Sequence, residues 1–413
     1  MDRVGFISDG KSSTILIWLL LFPYVGFFNG IDTQPIFIVL ATCLVPFYLG
    51  RIRFSKFEVA YFFLCCAVLA FSFIIQSSQL SIVYVVTYLV VIFNICIIKK
   101  YVDHGIIRVE NKHIVVATVI YILIGVVQLY YPSFLTGLVS RSSESVLYFS
   151  ETGRGVRSLA AEPATLGKIF NYFYVIIIVI SFKHDGFNFR RFLLITMCFF
   201  LAHIIIPRSA YAISIYMAIV SGLILFINKR FFVVSIILLS FLLYILLNST
   251  SNVYDGRIVQ ILRILFESPD LLLQQGAMRR LLNIPISIHN LTYFGMFGSG
   301  SSLEVFDSIL PTPIGGLNYV AHSRNLGGVV EMILVLGVLS LPFLIMYFRY
   351  IFSCRVFWVD YGERRINIGW WLVFSLMVLT FQDGAITLPL CWFIIFFFSK
   401  LANYRPKNKI QVL

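Results

Sequence analysis

The sequence predicts an all-α polytopic membrane protein of about twelve transmembrane helices with two large outer loops. Three observations predict it. Charged residues make up 12% of the 413 residues, where a soluble domain carries about a quarter. Mean hydropathy is +0.91. Apolar runs recur from end to end, each near the roughly 20 residues that cross a bilayer.

The spans fall at about 14–29, 35–49, 57–75, 80–98, 114–131, 164–182, 191–206, 209–227, 231–247, 326–347, 366–381 and 385–399. No small-residue cleavage site follows the run from Thr14 to Phe28, and further spans come after it. This predicts a retained helix rather than a removed signal peptide. With both termini in the cytoplasm, the inner connections hold most of the 32 Lys and Arg residues, among them Arg51 and Arg53, Lys99 and Lys100, Arg190 and Arg191, Lys229 and Arg230, and Arg364 and Arg365. That distribution follows the positive-inside rule. The net charge of +13 therefore orients the chain and does not point to nucleic acid.

The regions read as helices one to five over 1–131, a first outer loop over 132–163, helices six to nine over 164–247, a second outer loop over 248–325, and helices ten to twelve with a basic tail over 326–413. Loops this long are functional or disordered as a rule. In the second loop, Ile258, Ile261, Leu262 and Leu265 fall at helical spacing, and another such stretch follows Ser268-Pro269-Asp270 through Leu282. Both fit amphipathic helices lying on a membrane surface. Gly298-Ser299-Gly300 and Pro311-Thr312-Pro313 read as turns. Six of the seven cysteines lie in spans and Cys354 in an inner loop. None has zinc-ligand spacing in a polar setting, so neither disulfide nor metal chemistry is expected.

Cations on the outer side run against the usual bias, and Arg157, Arg208, Arg279, Arg280 and Arg324 all fall there. Every even-numbered span enters from outside, so its helix N-terminus, with unpaired N–H groups and partial positive charge, faces the outer compartment. Three such starts are notable. Span six follows Arg157 and Glu162-Pro163, with proline suited to a first turn. Span eight opens with Pro207-Arg208-Ser209, serine being a good cap. Span ten opens with His322-Ser323-Arg324-Asn325. Converging, they would form an anion site of helix ends and guanidinium forks. The plain alternative for each arginine is a lipid headgroup. His322 is the candidate proton acceptor, because imidazole titrates near neutrality. Glu162 could position an arginine, bind a sugar hydroxyl, or merely cap its helix. Glu331, inside the tenth span, falls on the opposite face of a straight helix from His322.

Four local patterns resemble the Wzy-type O-antigen polymerases, which share a superfamily with the O-antigen ligases. They are Arg157-Ser158-Leu159-Ala160-Ala161-Glu162-Pro163; Arg208-Ser209-Ala210, with Pro207 where the family has a serine; Gly276 to Arg280 followed by Gly298-Ser299-Gly300; and Ala321-His322-Ser323-Arg324-Asn325 with Glu331 and Gly337 downstream. Ser323 stands where the family usually has asparagine. The resemblance spans roughly residues 154–340. It implies a GT-C-like integral glycosyltransferase of the bacterial inner membrane, working at the periplasmic face. Its substrates would be undecaprenyl-diphosphate-linked oligosaccharides and its other partners membrane lipid and a chain-length regulator protein. It implies catalytic roles for His322, Arg324 and Arg208, and substrate binding by Arg157, Glu162, Arg279 and Arg280. Aspartate-rich metal motifs are absent from the outer loops, so no metal or cofactor is expected and arginines would replace a metal ion, although Asp255, Glu267 and Asp270 are available there. Two alternatives stay open: a ligase moving finished glycan to a lipid A core, and a transporter or flippase of the same lipid-linked sugars.

Overall fold

The computed structural model describes residues 13–26, 36–48, 52, 54–75, 82–139, 155–227, 312–314, 317–319, 329, 332–333, 336–361, 364–380 and 388–403. They form a helical bundle with two short hairpins. The helices are α1 (Thr14–Leu21), α2 (Ile36–Tyr48), α3 (Lys56–Ile75), α4 (Ile82–Phe93), α5 (Lys99–Asp103), α6 (Asn111–Tyr130), α7 (Pro163–Asp185), α8 (Phe189–Ile205), α9 (Ala210–Ile227), α10 (Leu341–Ser353), α11 (Gly369–Thr380) and α12 (Pro389–Asn403). A π-helical segment, Asn94–Ile98, joins α4 to α5 without a break.

Two described helices, α6 over Asn111–Tyr130 and α7 over Pro163–Lys183, are long and apolar enough to cross a membrane, and several shorter apolar helices surround them. The two are used differently. α6 turns Val115, Val116, Val119, Leu123 and Val126 outward. An outward apolar stripe of this kind suits lipid and supports membrane association. α7 is the hub: it packs against α6, α8, α9 and α11, and 89% of its apolar window is buried. α12 is a second hub, against α1, α5, α10 and α11.

Local chemistry sets the helix starts. At α3, Ser55 Oγ accepts from Glu58 N at 3.2 Å while Glu58 Oε2 accepts from Ser55 N at 2.8 Å, a reciprocal cap. At α6, His113 Nδ1 accepts from Glu110 N at 3.1 Å. Lys112 beside Glu110 holds that carboxyl below its usual range, which keeps the cap charged into mild acid. Asn188 caps α8 through Arg191 N at 3.2 Å. Ser209 caps α9 through Ala212 N at 3.4 Å, and Pro163 occupies the first turn of α7.

The elements depart from the sequence reading in four places. The run 14–29 is helical only to Leu21. Pro23 cannot continue a helix, and Val25 instead forms a β-bridge to Val139. The run 326–347 is not one straight helix: a 3₁₀ turn over Gly337–Ser340, with Gly337 at φ 55°, precedes α10, where Pro342 lies in the first turn. Pro311-Thr312-Pro313 is not simply a turn, because β1 (Thr312–Ile314) pairs antiparallel with β2 (Leu317–Tyr319). A second hairpin, β3 (Trp358–Tyr361) with β4 (Arg364–Asn367), also qualifies the all-α expectation. Val359 and Ile368 are buried there while Trp358 is exposed. It docks on the end of α7 through Phe187 N to Asp360 O at 2.8 Å. The ninth span at 231–247 and the two amphipathic stretches of the second loop lie outside the described residues.

Far from the starts of α7 and α9, Glu58 holds two lysines, Lys99 at 2.9 Å and Lys100 at 2.6 Å, and Lys99 also reaches Asp103 at 2.8 Å. Lys400 of α12 donates to Val102 O at 2.6 Å and Asp103 O at 2.9 Å. These bonds close α3, α5 and α12 on one another.

The packing of α7 on α9 depends on small residues. A β-carbon on Gly167 would stand 2.4 Å from Ala212 Cβ. Gly167→Ala should therefore lower stability by about 1–3 kcal/mol through overpacking, read as a fall in thermal midpoint of the detergent-solubilised protein. Gly137→Ala, where nothing lies within 4 Å, is the control that should leave the midpoint in place.

Candidate functional site

The site is built where α7 and α9 start. The loop before α7 runs beside the end of α8, and Val156 N donates to Ile206 O at 3.0 Å. This approach is possible only because residue 155 is glycine: a β-carbon there would lie 1.9 Å from Ile206 O and 2.5 Å from Pro207 C. The contact places the segment carrying Arg157 next to the one carrying Arg208, so two of the three helix starts singled out in the sequence do meet.

The two arginines occupy different settings. Arg157 is 1% exposed, and its Nη2 donates to Thr136 O at 3.3 Å, in the 3₁₀ turn Thr136–Leu138 that follows α6. It ties the loop after α6 to the loop before α7. Arg208 is exposed. Its N donates to His203 O at 3.0 Å and its Nε to Ile205 O at 3.2 Å, which satisfies carbonyls left open at the end of α8. Its backbone has φ 45°, a left-handed conformation that costs a residue with a β-carbon about 1–2 kcal/mol. A glycine would hold that turn more cheaply, so the position carries a guanidinium against a conformational cost.

Ser158, also left-handed at φ 50°, is clamped from below by α6. Its N donates to Gln128 Oε1 at 2.7 Å and its Oγ to Tyr121 O at 2.8 Å. Gln128 Nε2 donates in turn to Ser158 O at 3.2 Å and Phe134 O at 2.9 Å. Gln128 escaped the sequence reading. The signal was present, since it is a lone amide in an apolar run, and a polar side chain inside a span needs a partner. Glu162 is the N-cap residue of α7, half-buried, and its side chain makes no cap hydrogen bond. Its backbone carbonyl accepts from Leu166 N at 3.0 Å.

Arg279, Arg280, His322 and Arg324 lie outside the described residues, as do Glu331 and the Gly298-Ser299-Gly300 segment. Among the described residues no group of three His, Cys, Asp or Glu side chains is placed to hold a metal ion. What the described part offers is an exposed guanidinium just before the start of α9, on a segment paired with the loop that leads into α7. Such an arrangement attracts an anion with oxygen acceptors.

Two substitutions test this construction. Gln128→Leu leaves Ser158 N–H buried without its acceptor and should cost about 1–3 kcal/mol, read as thermal midpoint. Arg208→Gly should be at least as stable as the parent, and more stable than Arg208→Ala by about 1 kcal/mol. A destabilised glycine variant would show that the turn is not under strain. No protein-family model, no curated protein and no solved structure matches the chain.

Proposed function

We propose that the protein is a polysaccharide polymerase of the inner membrane, with twelve spans, both termini in the cytoplasm and its site facing the periplasm. It joins undecaprenyl-diphosphate-linked oligosaccharide units and releases undecaprenyl diphosphate. The observation that supports this reading most is the pairing of Val156 with Ile206, because it brings two basic helix-start segments together, with Arg208 exposed on one of them. A lipid diphosphate is an anion of matching chemistry, and its long tail stays in the bilayer while its head sits at the helix ends.

The reaction follows from those parts. A terminal hydroxyl oxygen of the acceptor unit attacks the anomeric carbon of the donor and forms the glycosidic bond. The bond from that carbon to the diphosphate oxygen breaks, and its electron pair leaves with the diphosphate. His322 takes the hydroxyl proton. Arg208, Arg279, Arg280 and Arg324 stabilise the charge that develops on the leaving group, which is where preorganised cations act most strongly. Arg157 and Glu162 shape the sugar and diphosphate site. Arg157 acts from within the fold, holding the loop that leads into α7.

Purified protein given a synthetic undecaprenyl-diphosphate oligosaccharide should produce a ladder of products without any lipid A core. His322→Ala should slow it about a hundredfold or more, the usual worth of a positioned general base. A single transfer that requires core would mean a ligase. No product from several different repeat units would sink the enzyme reading and favour a transporter.

A further inference from the structure

His203, in the last turn of α8, takes no part in the proposed reaction, yet it touches every element that positions Arg208. Its side chain is fully buried. Nδ1 lies 2.7 Å from Phe199 O, one turn back on α8, and Nε2 lies 3.1 Å from Gly167 O on α7. The ring faces Tyr216 of α9 at 4.9 Å between centroids and meets Phe170 of α7 edge-on at 5.6 Å. The carbonyl of His203 accepts from Arg208 N at 3.0 Å, and three residues on, Ile206 O accepts from Val156 N at 3.0 Å. One residue thus fixes the end of α8 against the starts of both neighbouring helices.

The levels it sets are those that matter for an anion. Gly167 is the fifth residue of α7 and Ala212 the third of α9, and Asn171 Nδ2 donates to Ala212 O at 3.0 Å. Ala212 N is the group capped by Ser209. Sliding α8 against α7 would break the Gly167 contact and displace Arg208 relative to both helix ends. A displacement of about 1 Å is enough to impair an oriented site. A neutral imidazole carries one N–H; with that proton on Nε2 the ring donates to Gly167 O, and inside an apolar bundle no water replaces this bond.

We propose that His203 is a positioning residue for the diphosphate site, holding Arg208 at the level of the α7 and α9 starts through its ring contact with Gly167. The inference rests on the polymerase reading. In the first measurement, undecaprenyl diphosphate is titrated into the full-length protein in nanodiscs, well below the unfolding temperature. His203→Phe and His203→Met, which keep bulk and lose the ring nitrogens, should weaken binding about tenfold. His203→Gln, whose amide can still donate to Gly167 O, should restore it to within about threefold. In the ladder assay, turnover at saturating substrate should fall in the same order, which a loss of stability alone would not produce in a fully folded variant. Parent-like affinity in both His203→Phe and His203→Met, with Arg208→Gln impaired, would overturn the role of His203 alone. Parent-like affinity in Arg208→Gln as well would overturn the site on which it rests.

Discussion

Gly155 has no side chain, and the candidate site depends on that. Because nothing projects from this residue, the loop before α7 lies flat against Ile206 and Pro207, and Val156 bonds the last carbonyl region of α8. Remove that contact and Arg157 parts from Arg208. The left-handed turns at Ser158 and Arg208 also lose their purpose, since each bends the chain so that a helix can start beside its neighbour. Strain of this kind persists only where the surroundings over-determine it. Here Gln128, Tyr121 and the His203 carbonyl do so, from α6 and α8.

Several buried polar side chains of the bundle pair across helices. Where lipid or packed side chains replace water, a polar group must find its partner inside the protein. Asn171 finds Ala212 O, Tyr216 finds Thr196 O at 2.6 Å, Trp371 finds Ile219 O at 2.8 Å and Tyr172 finds Leu379 O at 3.0 Å. Each partner belongs to another helix, so these bonds specify which helices are neighbours. Net contributions of such bonds are modest, on the order of 1 kcal/mol. Their value lies in the cost of any other pairing, which would strand a donor.

Much of this was legible in the residues. Pro163 and Ser209 mark the starts of α7 and α9 because their chemistry suits a first turn and a cap, and the helices begin there. Apolar runs gave the helix positions to within a few residues for α2, α3, α6, α8 and α9. What the residues could not disclose was adjacency. Nothing about Gly155 alone says that Ile206 lies against it, and nothing about Gln128 says that its amide meets Ser158, thirty residues on. His203 was passed over because a lone histidine in a span looks like filler until its neighbours are known. The break at Gly337 was missed for the opposite reason: the hydropathy of 326–347 is continuous, while a left-handed glycine interrupts the helix. The β3–β4 hairpin was missed because an alternating pattern four residues long is too brief to stand out beside basic loop residues.

The bonds from Lys400 to the carbonyls of Val102 and Asp103 join residues 298 and 297 apart in the chain, and α12 is apolar and buried along almost its whole length. A ribosome delivers residues in order, so the α1 and α5 walls of the slot that α12 fills are made long before that helix exists. Until α12 emerges, lipid has to fill that slot. A chain stalled or truncated before 388 would present a greasy seam to the quality-control proteases of the membrane. α12 thus works as a clasp, and the bundle around it closes only once that helix has been delivered.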